Sequence, residues 1–490
     1  MNNTVSEQGP SHTNNASSAP TAFYRFRSAS AVLEKYKELE RGTIYFASAH
    51  ELNDPMEGYK DLFWRGDAVV WRSLFRHYIL VVMLLAYLHV AGEPGNTTIL
   101  RNLALSTPDN LPDAPVRKIF ADICRQFFAT PGVGAIVEKL AQCTKPIRRD
   151  ALAHLLRGLN PLVQGLVLNN PSLGPFRAPS LADFDPSDIL SKLLPTIGTS
   201  DELREDQQIA ADQLLADMES VVLQHQLGID MSRDPASPPP PLYLLPSFAG
   251  EYVRALDELT YPPNYVASFS GNATNASMWG TYGDEHRGVC LKFKPGKDSV
   301  GRLSLELNAI RGVSGSRGSI EPFYSWAPHS FKKMVYGDAY PEIDFFRSIG
   351  RLPVPAINGF WFLGEQGEVS SIRDEIRTRE DTWREGYWAQ IEETSSRKTA
   401  DWSHEDEYRL ELRTSIGSYE EKPSRVLQYR FDSLAGIVFG ANTSEANKVR
   451  MIRIIAYKCE AEQRKEFEFY QMRYSRHERA FRLVRLHSLP

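Results

Sequence analysis

Strand-like sequence occupies residues 23 to 65, stops, and resumes only after residue 262, and this interruption constrains the fold more than any other feature of the chain. "FYRFRSASAVLEKYKELERGTIYFASAHELNDPMEGYK" (23–60) reads as a strand, then a helix with apolar positions Val32, Leu33, Tyr36 and Leu39 that stops at Gly42, then a strand "TIYFAS". "NDP" closes that segment with a turn, because Asn and Asp bond their own backbone and Pro fixes φ. From 68 to 236 the text is rich in Leu and Ala at helical spacing, with breaks such as "NNPSLGPFRAPS". Residues 237–246 form a proline-rich connector of extended character.

Beyond the connector, "NYVASFS", "GVCLKF", "RLSLELNAI", "HSFKKMVYGD", "EYRLELRT", "RVLQYRF", "AGIVFG", "RMIRIIAYK" and "FEFYQMRY" have the length, alternation or β-branched and aromatic content of strands. The expectation is an α+β fold: a mixed β-sheet core assembled from an N-terminal part (21–67) and a C-terminal part (247–490), with a mostly helical insertion between them. Residues 1–20, rich in Asn, Ser and Thr, read as a disordered tail without a secretory signal. The run "YILVVMLLAYLHVAG" (78–92) falls short of the roughly 20 residues of a membrane span and reads as a buried helix, so no membrane partner is expected. Four scattered cysteines, with no CxxC, fit a reducing cytoplasm and argue against structural zinc. A net charge of -5 gives no global basic field, so any nucleic acid must be held by a local patch. One candidate is 448–485, where 11 Lys/Arg stand against 5 Asp/Glu with aromatics interleaved; a solvated strand face is the plainer reading.

Three separated segments carry a family likeness. They are "YRFRS…LERGTIYFASAHELNDPMEG", "ASFSGNATNASMWGTYGDEHRGVCLKF", and "KTADWSHEDEYRLEL" followed by "AGIVFGANT". In this order, with the N-D-P-x-E turn, the M-W-G-x-Y-G-x-x-H-x-G-V-C loop and the W-x-x-E-x-E-Y-R strand, the chain resembles the bacterial family catalogued as domain of unknown function 2971. The likeness covers roughly half of the chain and leaves out the helical block. More distantly the arrangement is similar to ADP-ribosyltransferases of the arginine-serine-glutamate class, in which an early Arg, a Ser-x-Ser strand and a late Glu-x-Glu turn surround NAD. That resemblance implies a bacterial effector, of toxin or defence type, that uses NAD as substrate on a protein or nucleic-acid target and needs no metal.

The resemblance also implies roles. Glu407 would stabilise the positive charge that develops on the ribose, and Glu405 would act as general base. Arg25 or Arg27 would pair with the pyrophosphate. Ser268 and Ser270 supply the Ser-x-Ser strand, and Tyr24, Trp279 or Tyr282 would stack on nicotinamide, with His286 nearby. Each residue also has a plain reading. Glu405 and Glu407 alternate with Arg409 and Arg413 as paired acids on an edge strand. Trp279, Tyr282 and His286 can be a packed loop. Asn53, Asp54 and Glu57 can be a turn and a helix start. Lys332, Lys333 and Lys398 can reach phosphates, balance the acids or remain solvated. Two further functions stay open: a non-catalytic nucleotide- or protein-binding module, and a metal-dependent hydrolase or nuclease using Asp54, Glu57, His286 and Glu407.

Overall fold

The computed structural model describes residues 20–93, 95–170, 190, 193–194, 197, 204–316, 319–413 and 419–487. The N-terminal tail and most of the "NNPSLGPFRAPS" break lie outside these. The chain divides into two compact units, one of residues 56–263 and 339–397 and one of residues 1–55, 264–338 and 398–490. The fold is α+β, as expected. The division differs from the expected one in that 56–67, 247–263 and 339–397 join the helical unit. The reason is packing: Tyr252, Phe345, Phe346 and Trp361 bury into the helical core and not into the sheets.

In the helical unit, α1 (Ala68–Val90) is the central element. It begins ten residues before the apolar run suggests, because Asp67 caps it by accepting from Val69 N and Val70 N. At this length it is long and apolar enough to cross a membrane, yet 67% of its most apolar window is buried inside the protein. Around it stand α2 (Ala114–Ala129), α3 (Val133–Gln142), α4 (Arg149–Leu168) and, beyond α5 (Glu205–Ser232), which packs on α4 through Arg157 and Glu219, α6 (Phe248–Ala255). His77 of α1 is fully buried and spends both ring nitrogens, on Tyr252 Oη at 2.7 Å and the Ala104 carbonyl at 3.0 Å. Within the proline-rich connector, residues 242–244 form a short 3₁₀ turn.

The other unit contains two sheets. The larger has nine strands: a short piece at Lys332–Lys333, then β8 (Glu407–Arg413), β4 (Asn264–Ser270), β1 (Phe23–Arg27), β5 (Val289–Phe293), β10 (Leu434–Phe439), β11 (Glu468–Ser475) and β12 (Ala480–Arg485), with β3 (Ala47–Ser48) also on β4. The smaller contains β7 (Ser319–Ser330), β6 (Leu303–Ser316), β9 (Val426–Tyr429) and β2 (Thr43–Tyr45), with Gly296–Lys297 on β6. Period-2 alternation places Tyr265, Ala267 and Phe269 of β4 in one core with Leu305, Leu307 and Leu427 of the smaller sheet, so this core lies between the sheets. The opposite face of the large sheet carries a second cluster of Phe26, Met278, Trp279, Cys290, Val438 and Met472, covered in part by α7 (Ala276–Thr281).

Two expected elements are corrected. "RMIRIIAYK" is not a strand but part of α8 (Glu445–Ala461), because Ser444 caps it and Met451 and Ile455, one turn apart, bury together. The helix expected after β1 is two short turns, Ala31–Lys35 and Glu38–Arg41, broken where Lys37 takes a left-handed φ of 51°.

Candidate active site at a split between strands

β1 and β4 are registered at one pair only, Tyr24 with Ser270. Further along, the same edge of β4 is taken by β3, at Ala47 with Val266 and Ser48 with Tyr265. The gap between leaves carbonyls without ladder partners, and Arg25 fills it. Its Nη1 donates to the Ser268 carbonyl at 3.2 Å and its Nη2 to the Tyr45 carbonyl at 3.0 Å, over the Phe269 ring. Burial lowers the Arg25 pKa to about 10, and its Nε has no hydrogen-bond partner among the described residues. Arg27 is paired with Glu38, which receives its Nε at 2.8 Å. A cavity of about 600 Å³ opens at this split, within the size range of small-molecule sites.

The far wall of the cavity is acidic and balanced. A 3₁₀ turn, Ala400–Glu405, delivers Glu405; Asp406 turns the chain at φ 42°; Glu407 then starts β8 opposite Ser270. Ser270 Oγ donates to the Glu405 carbonyl at 2.8 Å and so fixes that turn. Lys398 Nζ lies 2.6 Å from Glu405 Oε2 and 2.8 Å from Glu407 Oε2. Arg409 donates from Nε to Glu407 Oε1 at 2.7 Å and from Nη2 to Oε2 at 3.1 Å. Burial alone would raise the Glu407 pKa, but Arg409 and Lys398 outweigh it and hold the carboxyl at about 2. Burial likewise opposes the charge on Lys398, and Glu407 and Glu405 outweigh it, raising its pKa. Tyr282 donates to Glu405 Oε1 at 2.5 Å and receives Asn53 Nδ2 at 2.9 Å. Burial first, and this bond to Glu405 second, raise its pKa.

The expected residues therefore divide. Tyr24, Arg25, Arg27, Ser268, Ser270, Tyr282, Glu405 and Glu407 line the one cavity. Trp279 does not: it is fully buried, donates Nε1 to the Ala273 carbonyl at 2.8 Å and packs edge-to-face on Phe26 at 5.1 Å, so it cannot stack on a ligand. His286 is stacked against Trp279 and Phe481 in a left-handed run with Asp284 and Glu285, and it is not among the lining residues. The metal grouping of Asp54, Glu57, His286 and Glu407 is not formed, since no three His, Cys, Asp or Glu side chains among the described residues come together to hold an ion. Nor is Glu407 an outward acid on an edge strand: it is 3% exposed, with β4 beside it. Lys332 pairs with Glu411 at 2.8 Å and Lys333 lies 3.6 Å from Asp406.

Tyr36, Tyr45 and Glu51 also line the cavity and are not among the expected residues. A sequence signal exists for Glu51: Ser48 and Glu51 have the spacing of a capping box and form one. Tyr45 Oη donates to Glu51 at 2.9 Å. No family model matches the chain, and neither a curated protein nor a solved structure does.

Proposed function

We propose that the sheet unit binds NAD in this cavity and transfers its ADP-ribose to a macromolecule, in keeping with the resemblance to the arginine-serine-glutamate class and with a toxin or defence effector. One observation carries the reading. Arg25 and Arg27, Ser268 and Ser270, and Glu405 and Glu407, from segments more than 100 residues apart, line a single cavity in which Glu407 is buried yet ionised. In the reaction the bond from ribose C1′ to the nicotinamide nitrogen breaks and its electron pair leaves with neutral nicotinamide. Positive charge then spreads over C1′ and the ring oxygen, where a fixed carboxylate stabilises the transition state more than the ground state. The acceptor's lone pair forms the new bond to C1′, and its proton passes to Glu405. Tyr282, bonded to Glu405, orients that base, and Tyr24 offers a ring in the cavity wall.

The test is incubation of the full chain with NAD labelled in the adenylate half and cell lysate, beside a Glu407→Gln variant. Labelling of a macromolecule by the native chain and its loss in the variant are expected; equal labelling by both, or none by either, removes the transferase reading. A second reading, a binding module that holds a nucleotide without turnover, is favoured by the commitment of Arg25 to backbone carbonyls and the closure of Trp279 into the core. Calorimetric binding of NAD with no nicotinamide released would select it.

A further inference from the structure

We infer that the β11–β12 hairpin is a docking surface for single-stranded nucleic acid. β11 is held against β10 only from Glu468 to Gln471, the register ending at Phe439 with Gln471. From Met472 to Ser475 its sole strand partner among the described residues is β12, so the hairpin continues beyond the sheet as a two-stranded ribbon. Such a ribbon is marginal by itself and gains most from favourable cross-strand pairs. This one does the opposite: Arg473 is registered directly with Arg482.

The segment Arg473–Arg485 contains five arginines against one acid, Glu478, in a chain of net charge -5. Arg473, Arg476, Arg479, Arg482 and Arg485 are all exposed. Glu478 serves Arg482 alone, at 3.1 Å, and Arg473, Arg476 and Arg479 have no ion pair among the described residues. The turn is also strained, with Arg479 at φ 52°. Like charges set face to face on an exposed ribbon cost stability, and a polyanion removes that cost on binding. Tyr474, 56% exposed, lies on the ribbon's other face, edge-on to its cross-strand partner Phe481, and offers there an aromatic surface of the kind on which unpaired bases stack. Arginines on one face and at the turn, with an accessible ring on the other face, suit a flexible single strand that can wrap the ribbon and whose bases are free to stack, better than an acidic peptide or a flat anionic lipid surface.

This inference is independent of the NAD reading, because none of these residues lines the cavity. The experiment is fluorescence anisotropy of the full chain with labelled single-stranded RNA and DNA of one mixed sequence, between about 50 and 200 mM salt. Anionic phospholipid vesicles and a poly-glutamate peptide are the competing probes. Binding to one or both nucleic acids is expected, weakening with salt. The pair Arg473→Thr and Arg482→Thr should weaken it about tenfold or more and reduce the salt slope by about 1.4, the share of two phosphate contacts. The same variant should melt no lower than the native chain, since it relieves a repulsion; a structural role for the two arginines would lower its Tm. Absence of nucleic-acid binding, binding unaffected by the double substitution, or binding to vesicles or poly-glutamate in preference to nucleic acid would each overturn the inference.

Discussion

Glu407 has two tasks at once, neutralising Arg409 and Lys398 and facing the cavity, and they can be separated by pH. Its folded-state pKa of about 2 lies below the ordinary 4.5, so it contributes stability that is fully present above 4.5 and is lost as pH falls from there toward 2. Thermal melts across that range should show a steep loss for the native chain and a shallower one for Glu407→Gln; parallel curves would mean that the carboxylate is not held as described. At neutral pH the same variant should be less stable, because Lys398 and Arg409, both buried, lose a charged partner. Tyr282→Phe removes the bond to Glu405 and should cost about 1 kcal/mol in urea unfolding. Trp279→Ala should cost about 3–5 kcal/mol, the signature of a core ring and not of a ligand-stacking one. The acids were legible in the text because Glu-x-Glu beside Tyr-Arg limits what a strand start can do. Trp279 was not, because a linear pattern gives an aromatic its period but not the side of the sheet it packs against.

At the level of elements, strands with clean alternation were readable, and what was missed came from signals with two meanings. "RMIRIIAYK" has β-branched content, but its apolar positions Met451 and Ile455 are four apart and Ser444 precedes them, which is helix grammar. The split between β1 and β4 was invisible, since it is set by one arginine meeting two carbonyls from segments far apart in sequence. The strands around the split also depend on a close approach at the start of β5. A Cβ at Gly288 would sit 2.3 Å from the Arg27 carbonyl, so Gly288→Ala must push β1 away from β5. The expected result is a lower Tm together with weaker NAD binding by calorimetry; a variant that melts lower but binds NAD unchanged would detach the cavity from the register of β1.

For the whole molecule, a helical-unit core separate from the two clusters of the sheet unit predicts two unfolding events. Differential scanning calorimetry should resolve them, with Leu80→Ala in α1 lowering one and Trp279→Ala lowering the other; equal displacement of a single transition would show that the units melt as one. The interruption in the strand pattern announced this discontinuity, while the return of 339–397 to the helical unit needed tertiary packing to be seen. The chain passes between units four times, near residues 55, 263, 338 and 397, so β1 finds its neighbours only after more than 240 residues have been made. On the ribosome only the 56–263 part of the helical unit can condense early, whereas Arg25 waits for Ser268 and both wait for Glu407. Chains terminated before Glu407 would therefore lack the acidic wall, so the cavity is complete only in molecules translated past this residue.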